Sequence, residues 1–260
     1  MERITSRANS TISLVRRLSR ERDFRRERGL YLCDGVKLLG EAIQWHAEVD
    51  TVILSDDLAD ALGGTPMPEG VRTVAVPREI MHSISPMRTP QGALFLVKAP
   101  DLTPPDRLTG GRYLILDGLQ DPGNVGTILR SADAFGCDGL LLTGSCADPL
   151  NPKAVRASMG AIFRTPVWEV EAEKLPDLVR RSDLALCATA LRSDTVSLEC
   201  APLTRAAVVI GSEGSGVSPD LLDRCDATIR IPMEPTCESL NAAAAAAVVL
   251  WEWYRRGLPC

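Results

Sequence analysis

Leu116-Asp117-Gly118-Leu119-Gln120-Asp121-Pro122-Gly123-Asn124-Val125-Gly126-Thr127-Ile128-Leu129-Arg130 takes an apolar run through a turn and out again as an amphipathic helix. Pro122-Gly123 suits the two central positions of a type II turn. Asn124 then either caps the next helix through its side-chain oxygen or works directly in a site. Along that helix Val125, Ile128, Leu129, Ala132 and Phe135 gather on one side at 100° per residue. Arg130 falls roughly opposite them and faces solvent or a ligand, with a local ion pair to Asp133 as the alternative. Two later segments, Ile210 to Ser218 and Ile231 to Asn241, also lie where a strand gives way to a loop or helix. All three are expected at the C-terminal edge of one parallel sheet, where open α/β folds bind ligands.

The surrounding alternation supports that expectation. Strands over Tyr113 to Leu116, Gly139 to Leu142, Thr165 to Val170, Leu184 to Thr189, Ala206 to Ile210 and Thr228 to Ile231 are interleaved with helices. The helices are expected over Val125 to Phe135, Pro152 to Ala161, Leu175 to Arg181, Pro219 to Leu222 and Leu240 to Arg255. Such a rhythm calls for a parallel sheet covered by helices, and all-apolar strands such as Val208-Val209-Ile210 fit burial on both faces. Upstream, Ala99 to Gly111 holds Pro100, Pro104, Pro105, Gly110 and Gly111 without an apolar period, which reads as a linker. Residues 1–98 then form a first domain, 99–111 the linker and 112–260 a second domain. The first mixes helices (Ile12 to Arg26, Val36 to Gln44) with strands (Val49 to Leu54, Val71 to Val76, Ala93 to Val97), as in a small α/β/α layer.

The second segment reads Gly211-Ser212-Glu213-Gly214-Ser215-Gly216-Val217-Ser218-Pro219. Its glycines let the backbone turn sharply and let a ligand approach main-chain groups. The spacing matches neither G-x-G-x-x-G nor a P-loop, which disfavours a nucleotide-dependent oxidoreductase. Glu213, a carboxylate among glycines, is either a site residue or exposed turn decoration. In the third segment Ser239 is expected as the N-cap of the final helix, with Asn241 one turn inside. Asn is a poor helix former beside six alanines, so Asn241 is assigned a hydrogen-bonding role.

Composition excludes several classes. No apolar run reaches the roughly 18 to 20 residues of a membrane helix, and Met1 to Ser10 has no apolar core of a secretory signal, so a cytoplasmic address and no membrane partner are expected. The eight cysteines show no C-x-x-C pair and no nearby His, so no metal site is expected and the thiols read as structural. His46 and His82 lie outside the glycine-rich segments, which disfavours Ser-His-Asp or Cys-His hydrolysis. The net charge of −5 is uneven: residues 1–28 hold nine Arg against four acids, so the arm is +5 and the rest −10. That arm reads as phosphate contact or as a solvated helix whose Glu21, Asp23 and Glu27 pair with neighbouring arginines.

Together the three segments resemble the SpoU/TrmH family of RNA ribose 2′-O-methyltransferases, within the SPOUT superfamily. Asp121 to Gly126 through Arg130 looks like the family's first motif and Gly211 to Gly216 its second. Ile231-Pro232-Met233 with Glu238-Ser239-Leu240-Asn241 looks like its third, and Arg156 to Ala161 like its intervening helix. Ile4-Thr5-Ser6 with Asn9, then Asp34-Gly35 and Thr89-Pro90-Gln91-Gly92, is similar to the small α/β/α ribosomal-protein-L30e-like RNA-binding domain that many members carry. The resemblance covers essentially the whole chain.

What the resemblance implies is a parallel-sheet SPOUT domain with a C-terminal trefoil knot, a homodimer, S-adenosylmethionine as cofactor and structured rRNA or tRNA as partner. It places cofactor contacts on Gly211, Ile231 and Leu240, and the catalytic neighbourhood on Asn124, Arg130, Glu213, Ser239 and Asn241. Arg16, Arg17, Arg20, Arg25 and Arg26 become RNA backbone contacts. A guanidinium stays protonated in proteins, so Arg130 is expected to grip a phosphate and stabilise developing alkoxide character rather than act as base. Departures from the pattern are Pro235 where many members have Gly, Ala242-Ala243 where Val-Ser is usual, and Asp34 where Glu is common. The alternative function is a non-catalytic RNA-binding protein with a vestigial cofactor site.

Overall fold

Short apolar runs become strands and the amphipathic stretches between them become helices, in a computed structural model that describes residues 1–61, 70–192, 194–234, 236 and 239–257. The first part of the chain runs β1 (Glu2–Arg3), α1 (Ser10–Arg20), α2 (Arg22–Arg28), β2 (Leu30–Asp34), α3 (Val36–Gln44), β3 (Val49–Ser55), α4 (Asp56–Ala61), β4 (Arg72–Val76), α5 (Arg78–Ile84) and β5 (Ala93–Lys98). After a stretch without strand or helix come β6 (Arg112–Asp117), α6 (Pro122–Ala134), β7 (Gly139–Thr143), α7 (Pro152–Ser158) and β8 (Val167–Glu169). The chain ends with α8 (Leu175–Arg181), β9 (Ala185–Thr189), β10 (Val196–Ser197), β11 (Ala206–Gly211), α9 (Pro219–Leu222), β12 (Ala227–Arg230) and α10 (Ala242–Arg255).

Two compact units result. The first comprises Met1–Pro100 together with Asp148–Phe163, so α7, expected within the second half's alternation, packs here. Its mixed sheet has the order β1-β4-β3-β5-β2, with β5 antiparallel to both neighbours. Ile12, Val15 and Leu18 of α1 pack on Leu32, Ile53, Val74, Leu94 and Leu96 of the sheet. Full burial of such a side chain stabilises by about 1.5–3 kcal/mol. The helix expected over Ile12 to Arg26 breaks at Glu21, whose extended backbone ends α1 and starts α2. Gly29, left-handed at φ +60°, closes α2, a conformation in which a Cβ would be strained. Strand β2 was not anticipated, because Tyr31 to Asp34 are buried in unbroken succession and show no alternation.

The segment Asp148–Phe163 is fastened within this unit by a buried ion pair. Arg25 donates through Nε to Asp148 Oδ2 at 2.8 Å and through Nη1 to the Leu18 carbonyl at 2.7 Å, with only 2% of its side chain exposed. Asp148 Oδ1 accepts from the Leu150 amide at 2.9 Å, so both charges are well partnered. Removing one member of such a pair costs about 3–5 kcal/mol because the other is stranded.

The second unit comprises Asp101–Ala147 and Arg164–Cys260. Its seven strands lie in the order β10-β12-β9-β11-β6-β7-β8, and every pairing is parallel. The chain starts at β6, builds outward through β7 and β8, then crosses over to build the other side. The switch point therefore falls between β6 and β11, where Asp117 and Gly211 are register partners at the strands' C-terminal ends. Tyr113, Ile115, Leu141, Leu186, Ala207 and Val209 share one core with Leu175, Leu178 and Val179 of α8. Helix α10 packs against α6 and β11. Among the described residues no helix is long and apolar enough to cross a membrane.

Candidate functional site

The switch point brings the first two motifs side by side, and the Asp117 carboxylate ties them together. Buried at the end of β6, it accepts from the Ser218 amide at 2.7 Å and so pins the far end of the glycine loop that leaves β11. The loop is closed by Ser212 N to Gly216 O at 3.1 Å and Gly216 N to Ser212 O at 3.0 Å. It folds back so tightly that a Cβ on Gly211 would stand 2.1 Å from the Gly216 carbonyl carbon. The exposed residues 213–216 are thereby held on one backbone path, with Ser215 N also donating to Ser212 Oγ at 3.3 Å.

The N-terminus of α6 differs from the expected turn. Asp121 is the N-cap and accepts from Gly123 N at 2.7 Å; Pro122 occupies the first helical turn, where its missing N–H costs nothing. Pro122-Gly123 thus belong to the helix rather than to a type II turn. Asn124 is released from capping. Its amide donates to the Glu213 carboxylate, and its Oδ1 accepts from Asn241 Nδ2 at 3.4 Å.

Asn241 is itself the N-cap of α10. Its Oδ1 accepts from Ala243 N at 2.9 Å and Ala244 N at 3.4 Å, so the helix starts two residues later than expected and Ser239 is not its cap. One side chain therefore does two jobs: the oxygen starts the helix and the nitrogen faces Asn124. Ser239 and Leu240 precede it, exposed, with Leu240 keeping 36% of its surface accessible; Ile231 is half-buried at the end of β12. Pro235 and Glu238 lie outside the described residues.

Three of the expected catalytic residues, Asn124, Glu213 and Asn241, are thus joined by hydrogen bonds across the three motifs. Arg130 lies on α6, roughly 9 Å of helical rise beyond Asn124. It is exposed, has no partner among the described residues and does not touch that trio. Asp133, its expected local partner, is taken by Arg164. The role of Asp117 was missed in sequence, where the only signal is an acid ending an apolar strand.

Of the basic arm, Arg25 is corrected: its guanidinium is buried against Asp148 and not presented to solvent. Arg17 is engaged by Glu21 at 2.9 Å and stacks over the Phe24 ring at 3.6 Å. Arg16, Arg20 and Arg26 keep surface exposure, Arg16 being half-buried. Burial pushes the Cys137 and Cys187 thiols up to about 11, as befits small core side chains.

Residues 111–251 match the SpoU rRNA Methylase family and residues 9–94 the MRM3-like substrate binding domain. Among curated proteins, the 23S rRNA (guanosine(2553)-2′-O)-methyltransferase RlmP of Bacillus subtilis is 27% identical over 252 residues, 96% of this chain and 98% of the relative. The mitochondrial rRNA methyltransferase 3 of Homo sapiens is 31% identical, covering 94% of this chain and 72% of its own length. Among solved structures, the AdoMet-bound rRNA methyltransferase of Sinorhizobium meliloti superposes with a TM-score of 0.87 at 26% identity, covering 99% of both chains.

Proposed function

We propose that this chain, which belongs to the SpoU rRNA methylase family, methylates a ribose 2′-hydroxyl of ribosomal RNA, using the Asn124–Glu213–Asn241 trio and Arg130. The chain is an S-adenosylmethionine-dependent RNA 2′-O-methyltransferase. The observation that carries the residue assignment is the hydrogen-bonded trio, because it draws one side chain from each motif to the strand edge where ligands of this architecture bind.

The residues present fit the cofactor. Gly211 heads a tightly folded loop, and Ile231 and Leu240 are apolar positions of the third motif; these three would hold the adenosyl group. When bound, S-adenosylmethionine supplies an electrophilic methyl group on a sulfonium. Asn124, itself bonded by Asn241, holds Glu213 so that its remaining lone pairs can accept from the ribose hydroxyl and set that oxygen in line, which contributes much of the barrier reduction in a displacement of this kind. Arg130, uncommitted to any internal acid, grips the neighbouring phosphate through its planar fork and stabilises charge developing on the oxygen. The proton of the ribose hydroxyl would pass to solvent, because the Arg130 guanidinium stays protonated. Ser239 stands at the entrance of α10 beside this neighbourhood.

Residues 1–98 serve as the RNA-binding part, through Arg16, Arg20 and Arg26, and residues 112–260 as the methyltransferase part. The start of α10 at Asn241, bonded back to α6 after the last strand, supports the C-terminal trefoil knot. Trp251 (49% exposed) and Tyr254 (37%) of α10 form an open aromatic cluster with Phe135 at the end of α6. Uncovered aromatics of that size favour an interface, and a homodimer is the assembly assigned to them. Incubation with labelled methyl donor and unmodified RNA, followed by mapping of the nuclease-resistant position, tests the function.

A further inference from the structure

Tyr113 and Ile115 of β6, Leu141 of β7, and Ala207 and Val209 of β11 all point into one core. Side chains alternate along a strand, so Asp117, Thr143 and Gly211 follow them on the same face. They are register neighbours, Gly211 beside Asp117 and Asp117 beside Thr143. In this row the apolar core stops. Asp117 is only 7% exposed and pairs with no cation among the described residues. A lone carboxylate is costly to bury, and what holds this one is the Ser218 amide at 2.7 Å.

We propose that Asp117 is a positioning residue for the methyl transfer, acting through Ser218 to aim the Glu213 carboxylate. The inference rests on the methyltransferase reading and adds to it a residue outside the three motifs. The chain leaves β11 at Gly211, turns through Glu213 and returns at Ser218, where Asp117 holds it. Its carboxylate is held by Asn124. Asp117 and Asn124 stand at opposite ends of the turn between β6 and α6, so one short turn grips the glycine loop twice. A hairpin held at a single point pivots about it, whereas two points fix the direction in which Glu213 faces. Closure of the loop itself does not depend on Asp117, because Ser212 and Gly216 exchange both backbone bonds. Gly211 likewise keeps its place through its backbone pairing with β6. The effect of Asp117 therefore falls on turnover more than on cofactor affinity.

The test uses full-length Asp117→Ala and Asp117→Asn, with Thr143→Val as control. Thr143 is buried in the same row, and its hydroxyl has no bonded partner among the described residues. Single-turnover methylation of unmodified RNA, calorimetric donor affinity and hydrogen exchange of residues 212–218 are read for each variant. Asp117→Ala is expected to lower turnover by about tenfold or more while donor Kd stays within about threefold of wild type. Exchange at the Ser218 amide is expected to quicken on the order of tenfold. Asp117→Asn keeps an oxygen for that amide and is expected to recover most of both losses, and Thr143→Val to match wild type. In a Glu213→Ala background, Asp117→Ala is expected to lower turnover no further, because no carboxylate is left to aim. Equal fold losses with and without Glu213 would show a merely structural role and overturn the proposal. Wild-type turnover and exchange in Asp117→Ala would overturn it too, as would a loss in Asp117→Asn or Thr143→Val as deep as in Asp117→Ala. Failure of the wild-type protein to methylate any RNA instead removes the functional reading, and the role of Asp117 with it.

Discussion

Arg164 holds the Asp133 carboxylate through Nε at 3.1 Å and Nη2 at 2.8 Å, in a pair that is four-fifths shielded on the arginine side. The consequence falls on Arg130, three residues before Asp133 on α6. The acid nearest to it on the helix is occupied, and its guanidinium remains exposed and unpaired among the described residues. A cation kept free in this way is available to a phosphate.

Arg130→Ala is therefore expected to leave unfolding free energy within about 0.5 kcal/mol of wild type while lowering turnover by about a hundredfold or more. Arg130→Lys keeps the charge but not the planar fork, and its turnover is expected well below wild type. Near wild-type turnover in the Lys variant would rule out a bidentate clamp. Asp133→Ala has the opposite signature, a stability loss of about 1–3 kcal/mol from removing the acceptor of the Arg164 Nε and Nη2 bonds.

Asn241 separates capping from site chemistry. Asn241→Ala is expected to cost about 0.5–2 kcal/mol as a lost N-cap and to lose turnover as well. Asn241→Asp supplies a good cap oxygen but no amide donor to Asn124, and it sets a second carboxylate near Glu213. Its unfolding midpoint is expected close to wild type with turnover still depressed. Recovery of turnover along with stability would mean that Asn241 acts only as a cap.

Two glycines of the loop make a paired test. A methyl on Gly211 meets the Gly216 and Val217 backbone at 2.1–2.2 Å, whereas one on Gly214 meets nothing within 4 Å. Gly211→Ala is expected to lose about 1–3 kcal/mol and to weaken methyl-donor binding, and Gly214→Ala to change neither. Calorimetric titration of both variants checks this; equal affinity in the two would show that the fold-back of the loop does not shape the cofactor bed.

The buried Asp34 gives a pH signature. Burial pushes its carboxyl above 3.8, offset in part by the Ser85 hydroxyl bonded at 2.6 Å and by the charge of Arg156. The folded state thus holds the proton more tightly than the unfolded chain. That contribution is present in acid below the ordinary carboxylate value and is lost as pH rises through the raised one. Asp34→Asn removes the ionisation while keeping an acceptor for Ser85. Its stability relative to wild type, measured by urea unfolding, is expected to rise between pH 4 and pH 7. A falling difference would mean that attraction to Arg156 outweighs burial.

Much of the second unit was legible in the sequence because parallel strands buried on both faces are written as uninterrupted apolar runs. Val208-Val209-Ile210 and Leu140-Leu141-Leu142 fall in strands, and the bounds of α8 and α9 match the expected ones. The N-terminal ends of α6 and α10 were less legible. Asp121 and Asn124, like Ser239 and Asn241, are all competent caps, and which oxygen reaches the amides depends on where the incoming strand delivers the chain. In the arm, nine arginines look alike in sequence. Only tertiary structure sorts Arg25, buried on an acid 123 residues away, from Arg20, which is left open.

The central claim is that the acceptor atom is a ribose oxygen, and replacement of that one atom tests it most directly. Labelled methyl donor is supplied with the mapped target RNA and with the same RNA carrying a 2′-deoxy sugar at the modified nucleotide. Label is expected in the first and absent from the second; undiminished transfer to the deoxy substrate would place the methyl group on a base and contradict the account.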